Sequence, residues 1–107
     1  MKTYLKFIEL KPSVKFFCDH DAEKILEEIA IKEAQGNPMT VTGVMEMGFV
    51  SAATAFRKLG GLRNVGYVKA VYGDLDKRTK FLKITPMAKS YLSALEATMN
   101  LAKEQTK

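Results

Sequence analysis

The chain has 107 residues, 47% of them hydrophobic and 27% charged, with 17 Lys and Arg against 12 Asp and Glu. That length and apolar content suit one domain, residues 1 to 107, able to bury its own core. A single cysteine (Cys18) and a single histidine (His20) exclude an intrachain disulfide and a thiolate-rich zinc site, and they leave no nucleophile and base from which to build an enzyme.

Residues 1 to 18 interrupt their hydrophobics with Lys and Glu ("MKTYLKFIELKPSVKFF"). No apolar run reaches the roughly 18 residues of a membrane span, so neither a transmembrane helix nor a signal peptide is expected, and the location reads as cytoplasmic. The first strong helix signal covers residues 19 to 36, where Ala22, Ile25, Leu26, Ile29 and Ala30 recur at helical spacing and Asp19 or Asp21 can cap the start. "CDHD" there reads as helix-start acids beside a buried thiol, not as a metal site or nucleophile. Gly36-Asn37-Pro38 ends the helix. A short second helix is expected over residues 40 to 47, capped by Thr40, with Val41, Val44 and Met45 inward and Gly43 weakening it by about 1 kcal/mol relative to Ala.

After a turn at Gly48-Phe49-Val50, a third helix is expected over residues 51 to 65, with Gly66 as its left-handed stop. Successive 100° steps put Ala52, Ala55, Phe56, Leu59 and Leu62 on a core face and Ala53, Thr54, Arg57, Gly60, Gly61 and Asn64 opposite, flanked by Lys58. The two glycines cost roughly 0.8–1 kcal/mol each against Ala, which suits either a close approach by a partner or a kink. Residues 67 to 84 read as a hairpin, "YVKAVY" and "TKFLKI" joined by the basic loop "GDLDKR". Asp76 in that loop is expected to pair with Arg78 or to close the turn through its side chain. Thr85 caps a last helix over residues 85 to 105, with Pro86 in its first turn and an apolar stripe of Ala88, Tyr91, Leu92, Leu95, Met99 and Ala102.

The order is three helices, a β-hairpin and a helix: a mainly α chain with a small hairpin, which is a winged helix-turn-helix. Charge is distributed unevenly along it. Residues 51 to 89 hold nine Lys or Arg and two acids, a net +7, while the remainder is mildly acidic at −2. A basic segment beside an acidic one is the electrostatic footprint of a polyanion partner, and duplex DNA is the expected one.

"SAATAFRKLGGLRNVGYV" resembles the recognition-helix stretch of MarR-type winged-helix regulators, in which a Ser, a Thr three residues on, a basic residue, a Leu and a Gly before the strand recur at this spacing. Asp76, Arg78, Ile84 and Thr85 fit the same family's wing pattern, and the resemblance covers about residues 22 to 92. It implies a DNA-binding transcriptional regulator without enzymatic activity. With the third helix in the major groove, Thr54 and Arg57 are best placed to contact bases, Ser51 and Lys58 to hold phosphates, and Ala53 to offer an apolar surface to a thymine methyl. Lys77, Arg78 and Lys80 of the wing would reach phosphate or a narrow minor groove. No cofactor or metal is expected, and a small-molecule effector is left open. A winged helix serving only as a protein-interaction module is the alternative, because fold does not fix function. The stripe of the last helix outruns what the small domain covers, so a homodimer through that helix is expected, unless residues 1 to 18 fold back over it.

Overall fold

Each helix in the central part of the chain begins where a short oxygen-bearing side chain accepts from a backbone N–H. The computed structural model describes residues 1–75 and 77–106; the expectation for Asp76 lies outside them. The elements are α1 (Lys2–Leu10), a single 3-10 turn (Lys11–Ser13), α2 (His20–Ala34), α3 (Val41–Met45), α4 (Ala52–Val65), β1 (Val68–Tyr72), β2 (Lys80–Ile84) and α5 (Pro86–Gln105). Asp19 Oδ1 accepts from the Ala22 N–H at 2.9 Å, Thr40 Oγ1 from Gly43 at 3.1 Å, Ser51 Oγ from Thr54 at 3.1 Å and Thr85 Oγ1 from Ala88 at 3.2 Å. These bonds satisfy donors that a helix start otherwise leaves orphaned.

The chain divides into two compact units, Cys18–Ala88 and Met1–Phe17 with Lys89–Lys107. In the first, α2 presents Ala22, Ile25, Leu26 and Ile29 and α4 presents Ala55, Leu59 and Leu62; all are buried, together with Val44 of α3, Tyr67, Val68 and Leu82. Ala30, expected in the same stripe, is half-buried. α4 stops at Gly66, whose φ of +102° is the left-handed conformation that favours glycine, and the Leu62 carbonyl accepts from both Gly66 and Tyr67 N–H groups. The turn between α3 and α4 likewise rests on a positive φ, +89° at Gly48.

The hairpin pairs antiparallel with Val68 opposite Ile84 and Ala70 opposite Leu82. Its outer edge is closed by unlike acceptors: the Leu82 N–H donates to the Met39 carbonyl at 2.8 Å and the Ile84 N–H to Glu33 Oε1, also at 2.8 Å. An edge occupied in this way cannot template strand pairing with another chain.

The core face of α4 differs from the sequence expectation. Ala52 is exposed and Phe56 is 58% exposed, so the buried arc is Ala55, Leu59 and Leu62 alone. Arg63 lies about three turns beyond Ala52 and falls between Ala52 and Phe56 on the circumference, which marks that sector as the solvent-facing shoulder of the helix. Cys18, expected to be buried, is half-buried.

The second unit contains an element absent from the sequence expectation. α1 forms over residues to which the sequence assigned no element, and its start lies beside the end of α5, with Thr3 and Thr106 hydroxyls 2.8 Å apart. Further along, the Phe16 and Tyr91 rings meet at a centroid distance of 4.7 Å. Tyr91 and Ala102 of the expected stripe are buried, whereas Met99 is 48% exposed. The N-terminal segment thus lies against part of the stripe that was expected to be open.

Glycine substitutions on α4 separate tolerance from requirement. A Cβ at Gly60 or Gly61 meets no atom within 4 Å, so Gly60→Ala and Gly61→Ala should each stabilise the protein by about 0.8–1 kcal/mol. Gly66→Ala should destabilise it by about 1–2 kcal/mol, because alanine resists the left-handed conformation. Urea unfolding of the three variants checks both signs; a loss of stability in Gly60→Ala would mean that the helix needs glycine there.

Candidate nucleic-acid interface

The rotation of α4, fixed by its buried arc, determines which side chains face solvent. Ser51, Ala53 and Arg57 are exposed and Thr54 is half-buried. Ser51 is occupied as the cap of α4, and its hydroxyl lies 2.9 Å from Thr54 Oγ1. Two of the hydroxyls expected to meet DNA therefore already bond each other and the helix start, which stiffens the leading turn of α4. Arg57 carries no ion-pair partner among the described residues, so its full donor fork stands available.

Lys58 is placed differently from the expectation. Its ammonium forms an ion pair with Asp19 Oδ2, on the carboxylate whose other oxygen caps α2. One aspartate thus ties the start of α2 to the middle of α4, and Lys58 is drawn away from the role of a free phosphate clamp. The hydrogen bond from Lys58, then that from the Ala22 N–H, holds the Asp19 carboxyl below its ordinary pKa. Beside it, partial burial and next the Asp19 charge push the Cys18 thiol up, which keeps it protonated and a poor nucleophile.

Lys77, Arg78 and Lys80 are exposed. The Lys80 ammonium sits 5.3 Å from the Tyr72 ring centroid, an exposed cation–π contact that braces the start of β2 against the end of β1. At the base of the loop the Gly73 N–H donates to the Thr79 carbonyl at 3.0 Å. Across the unit, Lys24 lies 5.6 Å from the Phe49 ring, holding the α3–α4 turn to α2.

Sequence reasoning missed other members of this surface. Gly60, Arg63, Asn64, Val68, Lys69 and Ala70 line an open hollow of about 420 Å³ along the later half of α4 and β1. Arg63 and Lys69 have no ion-pair partner among the described residues, so the hollow is a cationic one. The overlooked signal was Arg63 with Asn64 at the end of the helix and a lysine, Lys69, at the start of the following strand. Phe56, placed in the core by the sequence, is the other missed residue.

No protein-family model and no curated protein sequence matches the chain. Solved structures do match. Transcriptional regulator Tm0710 from Thermotoga maritima aligns with a TM-score of 0.73 at 16% identity, over 97% of this chain and 69% of that one. FabT of Streptococcus pneumoniae in complex with DNA gives 0.65 at 16% identity, over 97% and 70%. A mutant MarR from E. coli complexed with operator DNA gives 0.64 at 17% identity, over 98% and 71%. What this chain shares with them is the fold, a winged helix-turn-helix, as the resemblance in residues 22 to 92 implied.

The Asp19–Lys58 pair makes part of the stability depend on pH. A carboxylate with a lowered folded pKa stabilises the fold above the ordinary aspartate value of about 3.9, and that contribution disappears as pH falls through the lowered value. Asp19→Asn keeps a capping oxygen but loses the charge. It should have a lower thermal midpoint than the parent at about pH 7, with the gap closing below about pH 3.9. A gap that persists unchanged to about pH 2 would show that the ion pair contributes nothing.

Proposed function

We propose that this protein is a duplex-DNA-binding transcriptional regulator that lays α4 in the major groove and its basic wing on phosphate and the minor groove. The observation that carries this reading is the exposed sector of α4 with Arg57 and Arg63 unpaired among the described residues, followed in sequence by the wing cations Lys77, Arg78 and Lys80. A helix of this width fits the major groove, and a guanidinium fork matches guanine O6 and N7. The structural neighbours that were solved with DNA share the fold and support the same assignment.

Within that interface the roles divide by chemistry. Arg57 reads a base edge. Ser51 and Thr54, bonded to one another, hold the entry of α4 rigid and offer their remaining hydroxyl capacity to a phosphate, and the nearby exposed Ala53 presents a methyl. Arg63 and Lys69 in their hollow, with Lys77, Arg78 and Lys80 on the wing, neutralise backbone charge. Lys58 contributes less to affinity than its position on α4 suggests, because Asp19 already engages it.

The regulator acts as a homodimer. Tyr4, Leu5 and Ile8 of α1 and Met99 and Leu101 of α5 leave a large apolar surface exposed in one unit, which supports self-association. A two-fold pair would present two α4 helices to half-sites about 34–36 Å apart, making the target an inverted repeat.

Titrating labelled duplex DNA at several salt concentrations tests the central assignment. Log K should fall linearly with log salt, by about 0.9 for each phosphate neutralised. Arg57→Ala should cost about 1–3 kcal/mol on the preferred site and relax selectivity there. Lys58→Ala should change the slope little. Absence of binding in about 50 mM salt would leave the fold to a protein-interaction role instead.

Self-association is checked separately by sedimentation equilibrium. The intact chain should be dimeric at tens of micromolar, and Met99→Glu should shift it toward monomer while preserving its circular dichroism. A monomeric parent protein would remove the dimer.

A further inference from the structure

Phe56 is the residue of α4 that the fold leaves unexplained. It is 58% exposed, on the helix proposed to enter the groove, and any role for it at DNA rests on that reading. On the helix circumference it lies close to Ala52 and Arg63, with Arg57 next in sequence. Ala52 and Ala53, both exposed, offer nothing but methyl groups in the preceding turn. With Lys58 engaged by Asp19, the leading half of α4 therefore has one long hydrogen-bonding side chain outside an ion pair among the described residues, Arg57, and one large apolar one, Phe56.

An exposed phenyl in the same sector of α4 as Arg63, with Arg57 about 100° further round the helix, is a poor surface for self-association. Two copies meeting there would bring like charges together as well as rings. Arg57 and Arg63 instead call for a polyanion, and the phenyl calls for an apolar group presented within it. In the major groove, the apolar group at a base edge is the C5-methyl of thymine, and 5-methylcytosine presents a methyl at the same carbon.

We propose that Phe56 is the contact site for the C5-methyl of a pyrimidine in the major groove, and that this contact supplies sequence selectivity that the alanines beside it cannot. Such a contact distinguishes T·A from A·T, because the methyl sits on the thymine side of the pair. Arg57 and Phe56, adjacent in sequence, would read neighbouring pairs, one by hydrogen bonds and one by an apolar surface.

The test uses the intact protein and a duplex enriched by it from a random pool. That duplex is resynthesised with deoxyuridine in place of thymidine, which removes the methyl alone, and separately with 5-methylcytosine in place of cytosine. Affinities of the parent protein and Phe56→Ala are compared on all three by fluorescence anisotropy. If thymine supplies the methyl, the deoxyuridine duplex should bind the parent about fourfold more weakly for each contacted methyl, the worth of about one buried carbon. Phe56→Ala should bind the thymidine and deoxyuridine duplexes alike. If methylcytosine is the source, cytosine methylation should tighten the parent and leave Phe56→Ala unaffected. Unchanged parent affinity on both modified duplexes, or a methyl response that survives intact in Phe56→Ala, overturns the proposal. Enrichment of no duplex at all overturns the DNA reading itself and this contact with it. Because Phe56 is mostly exposed, Phe56→Ala should keep the parent's thermal midpoint, so the readout belongs to the interface.

Discussion

Packing of Ile25, Leu26 and Ile29 on α2 with Ala55, Leu59 and Leu62 on α4 is the constraint on which the remaining structure depends. It fixes the rotation of α4 about its own axis, and with it the choice of side chains that reach solvent. Truncating any of the large members would cost about 2–5 kcal/mol and, more importantly, would loosen the angular setting of Arg57 and Phe56. Orientation of the proposed reading head is thus a property of the core.

The same helices hold the wing. Glu33 near the end of α2 accepts from the Ile84 N–H, and Met39, just before the cap of α3, accepts from Leu82. Thr85, which caps α5, also donates its hydroxyl to the Gly66 carbonyl at the stop of α4. Hairpin and helix are therefore joined by hydrogen bonds at the strand edge and at the α4 stop. Electrostatics divides along similar lines. Asp19 and Lys58 spend their charges on joining α2 to α4, while Arg57 and the wing cations Lys77, Arg78 and Lys80 face outward.

Much of this was legible in the sequence because its causes are local. Caps at Asp19, Thr40 and Thr85, the left-handed stop at Gly66 and the two hairpin strands each depend on residues a few positions apart. The core face of α4 was read too wide, out to Ala52 and Phe56, since an apolar side chain scores as core wherever it lies near a stripe; Arg63, in the same sector, was the contrary signal. The Asp19–Lys58 and Glu33–Ile84 bonds join residues 39 and 51 positions apart, and nothing in the local pattern announces them. α1 was missed for a related reason: it has no capping side-chain bond and no buried residue, so its amphipathic spacing alone marked it.

Chemical probing of a complex between the intact protein and its enriched duplex tests most directly whether the outward face of α4 reads DNA. Dimethyl sulfate methylates guanine N7 in the major groove, where the proposed function puts Arg57. Guanines at the bound site should be protected at N7 by the parent protein and exposed again with Arg57→Ala at equal occupancy. N7 positions that remain fully reactive throughout the occupied site would contradict the placement of α4 in the major groove.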